Sequence, residues 1–170
     1  MEYTGKVRTL VAKDDSRLHK PCHKVSREEI KSDPLFKQLI ADMIATMTHH
    51  NGVGLAANQI GVAKRVFVIA TTPTISVVVN PVVTVRLLTE EQIAEGKHLN
   101  DGLKTEGCLS LPDETYEVER LGFISVTGLT PLGRSFKHDF EGYLAQVIAH
   151  ETDHLNGTLI SDIGQKVVND

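Results

Sequence analysis

The segment His150-Glu151-Thr152-Asp153-His154 constrains this chain more than any other part of its sequence. It lies in a stretch from about Glu141 to Asn156 with apolar residues at helical spacing, and Gly157 follows where a glycine cap ends a helix. Positions i and i+4 share one helix face, so both imidazoles can face one metal ion. Glu151 can reach a water at such an ion without being a ligand, as a general acid/base does. The pattern predicts a metal-binding helix, although two histidines at this spacing can also lie on a solvated face.

A third ligand must come from elsewhere, since a catalytic metal site takes three protein ligands. Histidine, aspartate and glutamate are too numerous in this chain for counting to name it. The best candidate is the segment 106–112, Glu-Gly-Cys-Leu-Ser-Leu-Pro, in which Gly107 and Pro112 indicate a tight turn that presents the Cys108 thiolate. A lone cysteine is more often structural, and Cys22 is interpreted in that way. Two cysteines make no disulfide framework in a chain of 170 residues.

The segment 52–61, Gly-Val-Gly-Leu-Ala-Ala-Asn-Gln-Ile-Gly, is rich in small residues. Small residues let a ligand or another backbone come close. The segment lacks the Lys-Ser/Thr ending of a phosphate-binding P-loop and does not follow a predicted strand. It is either a packed turn between helix and strand or part of a binding site, in which Gln59 has the side chain suited to bond a reacting carbonyl.

The remaining sequence predicts an α+β fold in one domain, residues 1–170. After an irregular arm over residues 1–25, Ser26 and Glu29 have the spacing of a capping box. Asp33-Pro34 then begins a helix whose apolar residues recur at four-residue steps. Short β-branched and aromatic runs predict strands at 65–70, 76–80, 82–88, 116–119, 123–129 and 134–140. We expect mixed or antiparallel strands packed around the C-terminal metal-binding helix, with an N-terminal helix. Residues 89–104 are predicted as a long surface loop with room for a helical turn.

Charge and hydropathy exclude several classes of protein. The formal net charge is -4, and no block of lysine and arginine appears, which argues against binding to nucleic acid or anionic membranes. The longest apolar runs, such as residues 75–79, are too short to span a bilayer. Residues 1–10 lack the apolar segment of a secretory signal. We therefore expect a cytoplasmic protein, and a monomer.

These three segments, taken in their order along the chain, give it a specific resemblance. The sequence has Gly-x-Gly-x-Ala-Ala-x-Gln at 52–59, Glu-Gly-Cys-Leu-Ser at 106–110 and His-Glu-x-Asp-His at 150–154. In these motifs, in their order and in their spacing, the chain resembles the peptide deformylases. Weaker likeness extends over most of the chain, including residues 16–21 and Asn80-Pro81.

The resemblance implies a metal-dependent hydrolase that removes the N-formyl group from the formyl-methionine of newly made polypeptides and releases formate. It implies that Cys108, His150 and His154 bind one divalent metal ion, typically iron(II), with zinc, nickel or cobalt as substitutes. A water would complete the site, and Glu151 would take its proton and later deliver one to the leaving amine.

The resemblance also implies how the substrate is held. Gln59 and the backbone N–H of Leu109 would stabilise the oxyanion, an effect worth a few kcal/mol per donor. The backbone near Gly54 would pair with the N-formyl-methionyl peptide in a strand-like way, with Gly107 close to it. Val53 and Ile148 would shape the pocket for the methionine side chain.

The sequence departs from the family pattern in three places. Asn58 stands where the family often has proline, and the predicted loop at 89–104 is long for the shorter bacterial form. Only 16 residues follow His154, too few for the long C-terminal helix that many bacterial members use at the ribosome. Ribosome association is therefore not carried over to this chain.

Two other classes of protein remain open at this point. A zinc peptidase would use the same histidines and glutamate, but its third ligand would lie downstream of the helix, where only Asp162 is available. A non-catalytic metal-binding module would close its site with four protein ligands. The sequence offers no second cysteine near the site for that purpose.

Overall fold

The computed structural model of the protein describes residues 4–71 and 73–168. Its helices are α1 (Arg27–Ser32), α2 (Pro34–His49), α3 (Glu90–Ala94), α4 (Gly142–Asn156) and α5 (Ile160–Ile163), with a 3₁₀ helix at Ala57–Ile60. Its strands are β1 (Gly54–Ala56), β2 (Val66–Thr71), β3 (Thr74–Val85), β4 (Asn100–Cys108), β5 (Leu111–Leu121), β6 (Phe123–Leu129), β7 (Ser135–Glu141) and β8 (Gln165–Lys166). This mixture of helices and antiparallel strands confirms the predicted α+β class. The predicted domain of residues 1–170 also takes in residues 1–3, 72 and 169–170, which lie outside the described residues.

The first two helices begin where the sequence places their caps. The Ser26 hydroxyl accepts the backbone N–H of Glu29 at 3.1 Å, and the Glu29 carboxylate accepts that of Ser26 at 2.8 Å. Asp33 then accepts the N–H of Leu35 at 2.8 Å, and Pro34 occupies the first position of α2. Each cap satisfies backbone donors that have no partner inside the helix, which fixes where the helix starts.

Five strands form one sheet, in the order β1-β2-β3-β6-β7. Alternate residues of β2 face opposite sides of this sheet. Val66 and Val68 belong to a first apolar cluster with the buried face of α2, whereas Phe67 and Ile69 belong to a second apolar cluster with α4. The two long helices therefore cover opposite faces of β2.

Strand β3 corrects one prediction. The runs predicted as strands at 76–80 and 82–88 form a single strand, Thr74–Val85, whose pairing with β6 shifts between Val79 and Val82. Pro81 has no N–H to donate, so the ladder is interrupted there. Asn80 has a φ of 51°. Its side chain instead bonds the backbone of Val25, accepting the N–H at 2.9 Å and donating to the carbonyl at 2.8 Å.

The second sheet has three strands, in the order β4-β5-β8. Here the predicted loop at 89–104 is wrong in its second half, because β4 already begins at Asn100. The segment carries Asn, Asp and Gly, which are poor strand formers, and the cross-strand pairing with β5 outweighs that local preference. In its first half, the loop contains the short helix α3.

Helix α4 ends at a left-handed glycine, as predicted. Gly157 has a φ of 80°, and its N–H bonds to the carbonyls of Asp153 and His154. The helix packs against the second apolar cluster through Ala145, Ile148 and Leu155. Among the described residues, no helix combines the length and the apolar character that crossing a membrane requires.

Candidate active site

Helix α4 and the end of strand β4 bring three metal-ligating side chains together. His150 and His154 lie one turn apart on α4, with their ring centroids separated by 4.9 Å. Cys108 is the last residue of β4, and its Sγ lies 3.2 Å from Nε2 of His154. One ligand atom from each residue lies within 4.8 Å of those of the other two. No other such group of three occurs in the described part of the chain.

A tight connection between β4 and β5 presents the Cys108 thiol. Cys108 pairs with Leu111 across the two strands, so Leu109 and Ser110 alone make the turn. The register slips just before this point, because Gly107 pairs with Thr115. The segment 112–114 therefore bulges from β5 beside the cysteine, as strands often do next to binding sites.

A chain of ion pairs orients His150. Its Nδ1 lies 2.9 Å from a carboxylate oxygen of Glu106, and Arg120 donates to both Glu106 oxygens at 2.7 and 2.9 Å. Burial raises the pKa of Glu106, but the hydrogen bonds and charges of Arg120 and His150 outweigh it and lower that pKa to about 2. An ionised carboxylate can only accept, so His150 donates through Nδ1, which leaves Nε2 as the nitrogen that can lose its proton to bind a metal.

Asp153 joins the same chain of ion pairs from helix α4. Its carboxylate accepts from the Arg120 guanidinium at 2.6 Å, so it contacts the side chain that also holds Glu106. Burial raises the pKa of Asp153, although Arg120 opposes this shift.

The electrostatics of the cluster favour one positive charge. Burial opposes the charge of His150, but hydrogen bonds to Cys108 and Glu106 outweigh it and raise the pKa of His150 to about 10. Burial, followed by the charge of His150, holds the pKa of His154 well below its ordinary value. A neutral imidazole beside a thiol and an ionised carboxylate is a suitable environment for a divalent cation.

Glu151 lies beside this cluster without belonging to it. Its side chain is buried, and its Oε2 has no hydrogen-bond partner among the described residues. Burial is the main cause that raises the pKa of Glu151 to about 7. A carboxyl with a pKa near neutrality can both accept and donate a proton at physiological pH.

Gln59 points its donor end at the ligand cluster. Its Oε1 accepts the backbone N–H of Ala56 at 2.8 Å, which fixes the direction of the amide. Its Nε2 then lies 3.5 Å from Cys108 Sγ and 3.4 Å from the Ser110 hydroxyl. The side chain is 1% exposed, so its position is set by packing as well as by these bonds.

A cavity of about 510 Å³ borders the side chains of Gln59, Cys108, His150 and Glu151. It lies beside two sheet edges, since β1 and β4 are each the last strand of their sheet. The predicted site residues that line it are Val53, Gly54, Gln59, Gly107, Cys108, Leu109, His150 and Glu151. A Cβ added to Gly107 would meet nothing within 4 Å, so this edge is open to a ligand backbone.

The predicted pocket role of Ile148 is corrected by the structure. Ile148 is completely buried in the second apolar cluster, between α4 and the five-stranded sheet. Its neighbour Val147 lines the cavity instead, together with Tyr143 and Gln146. A helix turns by about 100° per residue, so a shift of one position moves a side chain from the cavity to the core.

Sequence reasoning gave no role to two residues that the structure places in the site. Glu106 belongs to the quoted Glu-Gly-Cys segment, and its place two residues before the cysteine was an available signal. Arg120 carries no local signal, because it is an ordinary strand residue, next to the last residue of β5. Only the antiparallel pairing of β4 with β5 brings it near Glu106 and the histidines.

The residue that a zinc peptidase would need as its third ligand, Asp162, makes a different contact. Asp162 accepts the backbone N–H of Leu159 at 2.7 Å, at the start of α5. Cys22, the other cysteine, is buried in the second apolar cluster, where burial raises the pKa of its thiol to about 11. Among the described residues, neither side chain joins the cluster of Cys108 and the two histidines.

Comparison with known proteins gives consistent results. Residues 7–169 match the model of the polypeptide deformylase family. The chain is 40% identical over 161 residues to peptide deformylase 2 of Corynebacterium efficiens, covering 92% of this chain and 79% of the relative. Its structure is similar to the crystal structure of the Thermotoga maritima peptide deformylase, with a TM-score of 0.79, 35% identity and coverage of 93% and 97%. It is also similar to a Met-Ala-Ser-bound class I type b peptide deformylase from Acinetobacter baumannii, with a TM-score of 0.79, 31% identity and coverage of 94% and 99%.

Proposed function

Because this chain belongs to the polypeptide deformylase family, whose members remove the N-formyl group from new polypeptides, we propose that it does so with one divalent metal ion held by Cys108, His150 and His154. Glu151 moves the protons, and Gln59 and Leu109 bind the reacting oxygen. The observation that carries this proposal is the clustering of three ligands, Cys108, His150 and His154, beside a cavity that Glu151 and Gln59 line.

The donor set fits such an ion. One thiolate and two imidazoles are ligands that zinc, iron and cobalt accept, and Glu106 holds His150 in the tautomer that a metal requires. A metal ion held there would act as a Lewis acid and lower the pKa of a bound water toward neutrality. We propose iron(II) as the native metal, with zinc, nickel or cobalt as substitutes. All three ligands come from one chain, which supports a monomer as the active form.

Glu151 is the proposed general acid/base. It takes a proton from the attacking water, whose oxygen bonds to the formyl carbon. The bond between that carbon and the methionine nitrogen then breaks, and Glu151 delivers the proton to the leaving amine. Formate and a free N-terminus are the products. The raised pKa and the unpartnered Oε2 suit a group that must hold a proton for part of the cycle.

Gln59 and the backbone N–H of Leu109 are the proposed donors to the oxyanion. The Gln59 amide is oriented in advance by Ala56, so it requires no rearrangement when negative charge develops on the formyl oxygen. A single preorganised donor of this kind contributes about 3 kcal/mol to the lowering of the barrier. Leu109 lies next to Cys108 in the turn and lines the same cavity.

The substrate peptide is proposed to lie extended along the open edges of β1 and β4. Gly107 leaves room for its backbone on the edge of β4, and Gly54 lines the same cavity on the edge of β1. Backbone pairing with a sheet edge binds a chain without selecting its sequence, which suits an enzyme that acts on many new polypeptides. The apolar side chains of Val53 and Val147 are proposed to contact the methionine side chain.

The test is the release of formate from formyl-Met-Ala-Ser by protein loaded with nickel or iron. Wild-type protein is expected to release formate, and Glu151→Gln to lose about 10³-fold in kcat, within the range for a general acid/base. Cys108→Ala is expected to lose activity together with bound metal. Asp162→Asn, the matched change outside the cluster, should keep both. An inactive wild type, or fully active Cys108→Ala and Glu151→Gln variants, would contradict the proposal.

The thiolate gives the site a second measurable property. Cys108 beside iron(II) is prone to oxidation, whereas nickel(II) does not react readily with oxygen. The iron-loaded protein is therefore expected to lose deformylase activity in air, and the nickel-loaded protein to keep it. Equal stability of the two forms in air would count against a thiolate ligand to iron.

A further inference from the structure

Asn58 connects two parts of the site that lie far apart in the sequence. It is the second residue of the 3₁₀ helix, and it is completely buried. Its Nδ2 donates to the backbone carbonyl of His154 at 2.6 Å, across 96 positions of the chain. His154 is a proposed metal ligand, and Gln59, the proposed oxyanion donor, is the residue next to Asn58. One side chain thus ties the backbone of the ligand to the segment that carries the donor.

Both residues that the Asn58 bond connects, Gln59 on one side and His154 on the other, are held in place by further hydrogen bonds. Gln59 is held by the N–H of Ala56 at 2.8 Å, and its amide reaches Cys108 at 3.5 Å. His154 lies in the last turn of α4, which Gly157 closes. A displacement of the 3₁₀ helix would therefore move the Gln59 amide relative to both His154 and Cys108.

The bond is not needed to satisfy the helix. The His154 carbonyl already accepts the N–H of Gly157 at 3.1 Å. The other end of the Asn58 amide, Oδ1, is buried with no protein hydrogen-bond partner in the described chain. Burying an unpaired polar atom destabilises a protein, so an apolar residue would serve folding better at this position. A residue that costs stability beside a site is expected to serve the site.

We propose that Asn58 is a positioning residue, which fixes the Gln59 amide at its working distance from His154 and the metal. The proposal rests on the function proposed above. It acts through Gln59 and His154, and Asn58 itself does not touch the substrate. Displacing a catalytic group by about 1 Å can reduce the rate about 10²-fold, so even a small relaxation of this segment is measurable.

Two variants test this role, each with a different way of removing the donor. Asn58→Asp keeps the shape of the side chain and replaces the N–H donor with an acceptor, whereas Asn58→Ala removes it without adding charge. Asn80→Asp is the matched control, because Asn80 also bonds backbone through both ends of its amide, at Val25. Asn80 does not line the cavity and has no proposed role in the site.

Three measurements separate positioning from a general loss of stability. We expect both Asn58 variants to lower kcat about tenfold on formyl-Met-Ala-Ser with KM changed less than twofold. The visible absorption of the cobalt-loaded protein should shift, because His154 changes its orientation at the metal. Loss of cobalt to a chelator should be several-fold faster. Asn80→Asp should lower the melting temperature and leave kcat, the cobalt spectrum and the chelation rate unchanged.

The opposite outcomes overturn the proposal. A kcat within twofold of wild type with an unchanged cobalt spectrum would make Asn58 a structural residue only, as would failure of both variants to fold. A matching loss of kcat in Asn80→Asp would lead to the same conclusion. An inactive wild type would contradict the proposed function instead, and the cobalt spectra of the Asn58 variants would still decide whether Asn58 positions His154.

Discussion

The five-stranded sheet and the three-stranded sheet both contribute to the cavity, but they contact helix α4 through different interactions. Around the larger sheet, α2 and α4 pack through two apolar clusters that include Phe36, Phe67 and Ile148. The smaller sheet contacts α4 through buried charges, since Glu106 and Arg120 on its strands meet His150 and Asp153 on the helix.

This difference in contacts indicates that one sheet mainly stabilises the fold and the other mainly orients the metal-ligating side chains. Apolar burial is proportional to area and has no preferred direction, so it supports α4 without fixing the angle of an imidazole. Hydrogen-bonded charges are directional and are costly when they lose a partner. The larger sheet therefore serves as the scaffold, and the smaller sheet sets the geometry of the ligands.

The largest effect is expected from Arg120→Met, which leaves Glu106 buried without its main partner. Removal of one partner from a buried ion pair costs about 3–5 kcal/mol. The free energy of unfolding should fall by this amount in a urea titration, and the folded protein should bind less metal because His150 loses its fixed orientation. Arg134→Met, a change of the same kind on the exposed β6–β7 turn, should change the free energy of unfolding by less than about 0.5 kcal/mol. Full metal content in folded Arg120→Met would contradict the conclusion that the smaller sheet sets the geometry of the ligands.

Phe36→Ala should lower the free energy of unfolding by about as much as Arg120→Met does, without changing kcat or metal binding. Phe36 is 1% exposed in the first apolar cluster, and truncation of a buried phenylalanine costs about 3–5 kcal/mol. At a temperature at which the variant is folded, its kcat and metal content should equal those of wild type. Loss of metal from the folded variant would show that the scaffold also sets the ligand geometry.

Gly54→Ala tests the edge of the larger sheet where it meets Glu151. A Cβ at this position would overlap a Glu151 carboxylate oxygen, so the carboxyl must move. We expect kcat to fall about 10²-fold with little change in melting temperature. Gly107→Ala, on the edge of the smaller sheet, meets no such contact and should have a smaller effect, mainly on KM. Equal losses of kcat in the two variants would argue against displacement of Glu151 as the cause.

The smallest effect concerns acid stability of the smaller sheet. Hydrogen bonds from Tyr116, Lys13 and Lys166 lower the pKa of Glu114 from 4.5 to about 2. Because the folded pKa lies below the ordinary one, this stabilisation is complete above pH 4.5 and is lost as the pH falls toward 2. Wild type should melt slightly higher than Glu114→Gln at pH 6, and the two melting temperatures should converge below about pH 2. A gap that is independent of pH would show that the Glu114 charge contributes nothing.

Local sequence determined the elements whose signals are local. Capping at Ser26 and Asp33 and the glycine at position 157 fixed three helix ends, because these residues satisfy backbone groups within one turn. The helical spacing of His150 and His154 placed both on one face for the same reason. Matching motifs in order along the chain indicated the family, and the comparisons confirmed it.

Only the tertiary structure decided which residues of distant segments contact each other. The strand at Asn100–Cys108 depends on pairing with β5, the Arg120–Glu106 pair on the register of those strands, and the Asn58–His154 bond on the packing of α4 against the 3₁₀ helix. The choice of Val147 over Ile148 for the cavity depends on how α4 is rotated against the sheet. Such contacts join residues with no fixed spacing in the sequence, so no local pattern can encode them.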